Sequence, residues 1–213
     1  VNTAWSPELF RVYRKDVSVD SMMPSVTYFV LGVVWISAII AVLASPIMRI
    51  LASSAYAGAE RIIPWLALGF LLNALYFIPV NFIMLHSKTA VVPVLTGTAA
   101  IVNIALNLWL VPQYGVIAAA ISTAASYGLC LCLTLVVASK IQPVRYDLRS
   151  MGAGIVIVSI ASLFALRVSI ATSAVGEAVV RGLILVCVPL VLWRLAPLDS
   201  TTMTGHGFRF LRR

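Results

Sequence analysis

Six stretches of this chain are long and apolar enough to cross a lipid bilayer, and none of them carries an Asp or Glu. They cover residues 25–48, 62–85, 90–111, 115–139, 151–170 and 178–196. About 20 mostly apolar residues in a helix cross the roughly 30 Å of bilayer hydrocarbon. Strands of a membrane barrel would be about half that length and strictly alternating, and these runs are neither. The chain is 62% hydrophobic and 10% charged, where a soluble domain is about 25% charged. A water-soluble fold of this size could not hide that much apolar surface. The expectation is an all-α integral membrane protein: a polytopic bundle of six transmembrane helices over residues 25–196. Residues 1–24 are expected as a cytoplasmic loop segment and 197–213 as a basic cytoplasmic tail.

The breaks between the runs have turn chemistry. Residues 53–60 are small and polar, with Gly58. His86-Ser87-Lys88 makes a very short hinge, and Pro112-Gln113-Tyr114-Gly115 combines helix-stopping and helix-starting residues. Residues 140–150 carry Pro143 and basic residues, and 169–177 are short and polar.

The net charge of +8 follows the same pattern. The Lys and Arg residues fall mostly between apolar runs, with no aromatic-interleaved basic stripe of the kind that binds nucleic acid. With six spans and both termini on one side, eleven of the fifteen cations lie on that side and four on the other. The four are Arg49, Arg61, Arg167 and Arg181. Positive loops face the cytoplasm, so both termini are expected there. The cations at run edges, Lys88 among them, are expected to snorkel as topology anchors.

Polar residues inside the runs are the candidate functional positions. A side-chain amide in hydrocarbon costs free energy unless it is paired, so it faces another helix or a wet cavity. Asn103 and Asn107 are four apart and share a helix face with Thr96 and Ala100. Asn73 and Asn81 in the second run carry the same two readings, packing glue or cavity wall. In the fourth run Ala118, Ser122 and Ser126 form one small-residue stripe, suited to close helix approach. Thr123, Tyr127, Cys130 and Thr134 form another, mildly polar one. Pro79 deep in the second run removes a backbone hydrogen bond and favours a kink.

Several chemistries are missing from the sequence. All seven carboxylates lie in breaks or at run edges, whereas a proton relay or cation site places one inside the membrane. Cys130, Cys132 and Cys187 have neither zinc nor redox spacing and read as packing residues. His86 and His206 stand alone, and there is no nucleophile triad, metal cluster or phosphate loop. The chain is not expected to be an enzyme, and no cofactor or metal is implied.

At residues 103–128 these readings meet a known pattern. Asn103, Leu106, Asn107, Leu110, Pro112, Tyr114, Gly115, Ala119, Ala120, Thr123, Ser126 and Tyr127 fit a signature of one transporter group. The stretch resembles the polysaccharide transporters of the multidrug/oligosaccharidyl-lipid/polysaccharide exporter superfamily, which include Wzx-type O-antigen and exopolysaccharide flippases. Ala4-Trp5-Ser6-Pro7 resembles the loop entering their second half, and His86-Ser87-Lys88-Thr89 their short interhelical hinge. The chain departs from the signature where Ala118 replaces a Gly and Ser122 an Ala; both residues stay small.

The resemblance implies the C-terminal lobe of a 12–14-helix flippase, with the N-terminal lobe of the same protein missing. It implies a bacterial inner-membrane transporter moving a lipid-linked oligosaccharide of the undecaprenyl-diphosphate type. Asn73, Asn81, Asn103, Asn107, Thr123 and Tyr127 are then the substrate-cavity candidates and Lys88 the anion-binding candidate. Membrane lipids are the other implied partner, and nucleic acid is not one. The alternatives are a drug or cation antiporter of the same superfamily and a fragment that only inserts and packs.

Overall fold

The computed structural model describes residues 23–51, 61–141, 148–171 and 181–190, and all of its secondary structure there is helical. The helices are α1 (Met23–Leu51), α2 (Ile63–Leu85), α3 (Val91–Tyr114), α4 (Val116–Ile141), α5 (Leu148–Ala171) and α6 (Arg181–Leu190). The expected loop at 1–24 with its Ala4-Trp5-Ser6-Pro7 segment, up to residue 22, lies outside the described residues. So do the tail at 197–213 and both ends of the sixth apolar run. Four helices are long and apolar enough to cross a membrane: Val26–Met48, Ile63–Leu85, Val91–Tyr114 and Val116–Ile141. This is the architecture of a multi-pass membrane protein. α5 and α6 add two further helices packed onto it.

The helix ends follow local chemistry. α2 opens with Pro64 in its first turn, where the missing N–H costs nothing. It closes on a left-handed Ser87, at φ 59°. There the Lys88 N–H donates to Ile83 O (3.3 Å) and the Ser87 N–H to Met84 O (3.0 Å). These are the two bonds of a Schellman cap, a place usually held by Gly. The 86–90 hinge thus turns the chain with the Phe82, Ile83 and Met84 carbonyls satisfied.

The break between α3 and α4 is tighter than the sequence implies. The sequence places the turn in the four residues Pro112–Gly115, yet α3 runs through Pro112 to Tyr114. Gly115 alone reverses the chain, at φ 66° and ψ −152°. That conformation is open to glycine and strained for any residue with a Cβ. Pro112 is tolerated because it sits in the last turn, and the Gly115 N–H still reaches Val111 O at 2.8 Å.

α2 is the centre of the bundle. It packs on α1, α4 and α5, and most of its length is buried. Val30, Val34 and Ala38 of α1, Leu71, Leu75 and Ile78 of α2, Leu131 of α4 and Val158 of α5 share one core. Small residues allow close approach between helices. Gly69 lies against the backbone of Ala124, Gly128 against Leu72, and Gly154 against Val34. The first two contacts set α2 and α4 side by side, running in the same direction.

α3 is peripheral. It packs chiefly on α4, and of its residues Leu95 and Ala99 are buried. Its outer face shows Val94, Ile101, Ile104, Leu108 and Trp109. In water such a face would be an aggregation site; in a bilayer it is ordinary lipid-facing surface.

Candidate functional site

Asn103 lies at the midpoint of α3, and Asn107 lies one turn nearer the Gly115 break. Both side chains are half-buried. Asn107 Nδ2 donates to Asn103 Oδ1 at 3.0 Å. Ser122 Oγ on α4 donates to Asn107 Oδ1 at 2.7 Å. The result is a three-residue ladder running from buried Ser122, through Asn107, out to Asn103. The helical i, i+4 spacing aligns the two amides, and the tight Gly115 turn brings Ser122 back alongside Asn107.

The ladder is buried at one end and open at the other. Ser122 is fully buried and also lies 2.9 Å from Ala118 O and 3.1 Å from Ala119 O. Its single proton serves one of these acceptors at a time. Asn103 Nδ2 has no acceptor among the described residues. If both amides turn over, the ladder reverses: Asn103 donates to Asn107, Asn107 donates to Ser122 Oγ, and Ser122 donates to Ala118 O. Asn103 then presents its oxygen outward instead of its nitrogen. The open end can therefore offer a donor or an acceptor without losing an internal hydrogen bond.

The other candidates fall in different surroundings. Asn73 is half-buried near the middle of α2 and makes no hydrogen bond among the described residues. Tyr127 is half-buried at the matching level of α4, set by the Leu72–Gly128 contact, and its ring packs on the main core. Thr123 is half-buried and donates to Ala119 O at 2.8 Å. It is one residue on from Ser122 and so about 100° around the helix from the ladder. Asn81 is only 1% exposed, and its amide donates to Phe77 O at 2.7 Å. That amide is engaged with its own helix.

The two stripes of α4 both pack. Ala118, Ser122 and Ser126 are buried, as are Cys130 and Thr134. Ser126 and Thr134 donate to the carbonyls four residues back, Ser122 O and Cys130 O, each at 2.7 Å. Cys132 points outward while Cys130 is buried, as their spacing requires.

Lys88 is exposed on the hinge before α3. It stands about 20 Å along the helix axis from Asn103, at 1.5 Å per residue. The structure does not bring it to the ladder.

One expectation is corrected. The sequence reads Arg181 as an edge anchor reaching toward headgroups, but it is 4% exposed and donates to Val42 O at 2.6 Å. Arg61 is exposed, as an anchor should be. Compared with known proteins, the chain matches no family model, no curated protein and no solved structure.

Proposed function

We propose that this chain is the C-terminal part of a polysaccharide transporter that flips a lipid-linked oligosaccharide, of undecaprenyl-diphosphate type, across a bacterial inner membrane. The sequence resemblance from Asn103 to Tyr127 suggests the family. The observation that carries the reading is the open-ended Asn103–Asn107–Ser122 ladder, midway along a helix whose outer side has no partner among the described residues.

Sugar hydroxyls cannot enter hydrocarbon without losing their hydrogen bonds to water. A flippase must replace those bonds along a polar path while the lipid tail stays in the bilayer. Each hydroxyl both donates and accepts, so the matching protein group must do the same. A carboxylate or ammonium offers only one role, whereas a ladder of amides that reverses offers both. Asn73 and Tyr127, at mid-depth on α2 and α4, would extend the path. Rocking of two lobes about a mid-membrane site would expose it alternately to each side. In this reading the N-terminal lobe of the same protein covers part of α3. Lys88, at the cytoplasmic level, would meet the diphosphate as it approaches. Six spans with both termini cytoplasmic complete the proposed topology, and α5 and α6 belong to the fifth and sixth.

A second reading has its own support: the Ser122–Asn107 bond joins two helices, as interhelical glue does. A drug or cation antiporter is less favoured, because no apolar run carries a carboxylate.

The test is Asn103→Leu with Asn107→Leu in the complete transporter. The expected outcome is loss of surface polysaccharide and build-up of the lipid-linked precursor in the cytoplasmic leaflet, at unchanged protein level. Normal surface polysaccharide from a stably inserted double variant would remove the transport role and leave the packing role.

A further inference from the structure

The buried arginine of α6 meets α1 at a backbone atom that the sequence leaves without its usual partner. α1 is one continuous helix from Met23 to Leu51 with Pro46 inside it. A proline has no N–H, so the carbonyl four residues earlier loses its helical hydrogen bond. For Pro46 that carbonyl belongs to Val42. Val42 is fully buried and six residues inside the Met48 end of its span, about 9 Å of helix. A bare carbonyl at that depth cannot turn to water. Arg181 Nη1 donates to that same oxygen at 2.6 Å.

The surroundings fit this pairing. Ala38, Ala41, Ala44 and Ser45 are the buried neighbours of Val42 on α1, and all are small. They leave the guanidinium room to reach the helix backbone. A bond from a charged donor is shorter and about twice as strong as a neutral one, in keeping with the 2.6 Å separation. Leu183 and Val186, facing away on the same short helix, are exposed, so the guanidinium is the polar group that α6 turns inward here.

We propose that Arg181 and Pro46 form a latch. The proline opens a carbonyl in α1, and the guanidinium of α6 fills it, tying the last described helix to the first across 139 residues of chain. The pair acts as a conformational lock: α1 can flex at the missing 42–46 bond only when α6 lets go. The inference is independent of what the protein transports.

The latch predicts a specific coupling. The full chain is purified in detergent and melted as four variants: the parent, Arg181→Met, Pro46→Ala, and both together. The Pro46→Ala change restores an N–H able to satisfy Val42 O. Removing Arg181 should then be tolerated better, by about 4–8 °C in Tm, in the Pro46→Ala background than with Pro46 in place. The sign is read as this difference, because Arg181→Met also removes a buried charge and its single effect is a mixture. Equal effects of Arg181→Met in the two backgrounds would overturn the latch. Failure to accumulate with Pro46, relieved by Pro46→Ala, supports it. If Arg181→Met is lost in both backgrounds, Arg181→Gln decides, because it stays polar but is two atoms too short to reach Val42 O: better tolerance alongside Pro46→Ala supports the latch, and additivity overturns it.

Discussion

Replacing Ser122 by Ala should weaken the α3–α4 interface by about 1 kcal/mol, and the reason lies in how one proton is shared. Ser122 Oγ is 2.7 Å from Asn107 Oδ1 and 2.9 Å from Ala118 O. Without the hydroxyl, Asn107 Oδ1 loses its only donor among the described residues, in a half-buried place. The reverse change is milder. Asn107→Leu keeps the number and branching of side-chain heavy atoms, and Ser122 turns its proton to Ala118 O; the other bond lost, to Asn103 Oδ1, lies within α3, so the loss at the interface should stay within about 0.5 kcal/mol. Once Asn107 is gone, Ser122→Ala removes no interhelical bond, so the double variant should resemble Asn107→Leu alone. The coupling expected is about 0.6–1 kcal/mol, between the average of about 0.6 and the maximum of about 1.7 found for polar pairs between membrane helices. The assay is reversible unfolding of the four proteins of the cycle in bicelles. A double variant that costs the sum of the singles, within about 0.3 kcal/mol, would show that no interhelical bond exists and would refute the ladder.

Other positions give sharper single tests. A Cβ on Gly154 would run into Val34 Cγ2; Val34 is fully buried and β-branched, so it cannot swing aside. Gly154→Ala should cost about 1–3 kcal/mol by overpacking, and much less in a Val34→Ala background, as read by melting in detergent. Ser87→Gly should stabilise by up to about 1 kcal/mol, because Ser87 sits at φ 59° in a cap that favours Gly. A lowered Tm would show that the hinge does not hold this conformation. Gly115→Ala should cost about 1–3 kcal/mol from backbone strain alone, since a Cβ there meets nothing within 4 Å. A neutral result would mean that the turn relaxes to another geometry.

Much of the fold was legible because membrane-spanning helices carry their own backbone hydrogen bonds and need only an apolar run of the right length. The boundaries near 62–85 and 115–139 are recovered to within two residues of α2 and α4. The extent of the turn at Pro112–Gly115 was not legible. Pro112 reads as a stop, but in the last turn it loses only one bond, and Gly115 does the turning. At the site, the i, i+4 rule aligned Asn103 with Asn107, and the small-residue stripe of α4 was visible. In that stripe Ser122 reads only as small. Its signal was its departure to a hydroxyl where the resembling signature has Ala, and spacing alone gives that hydroxyl no acceptor.

Local pattern therefore determined which residues are helical, where the chain can bend and which amides share a face, since each depends on neighbours within a turn or two. Tertiary structure decided what those groups touch. It placed α2 at the centre and α3 at the edge, paired Ser122 with Asn107 across fifteen residues, and turned Arg181 from an expected surface anchor into the donor for Val42 O, 139 residues away. A carbonyl freed by a proline is predictable from the sequence, but the group that fills it is settled only when two distant helices pack.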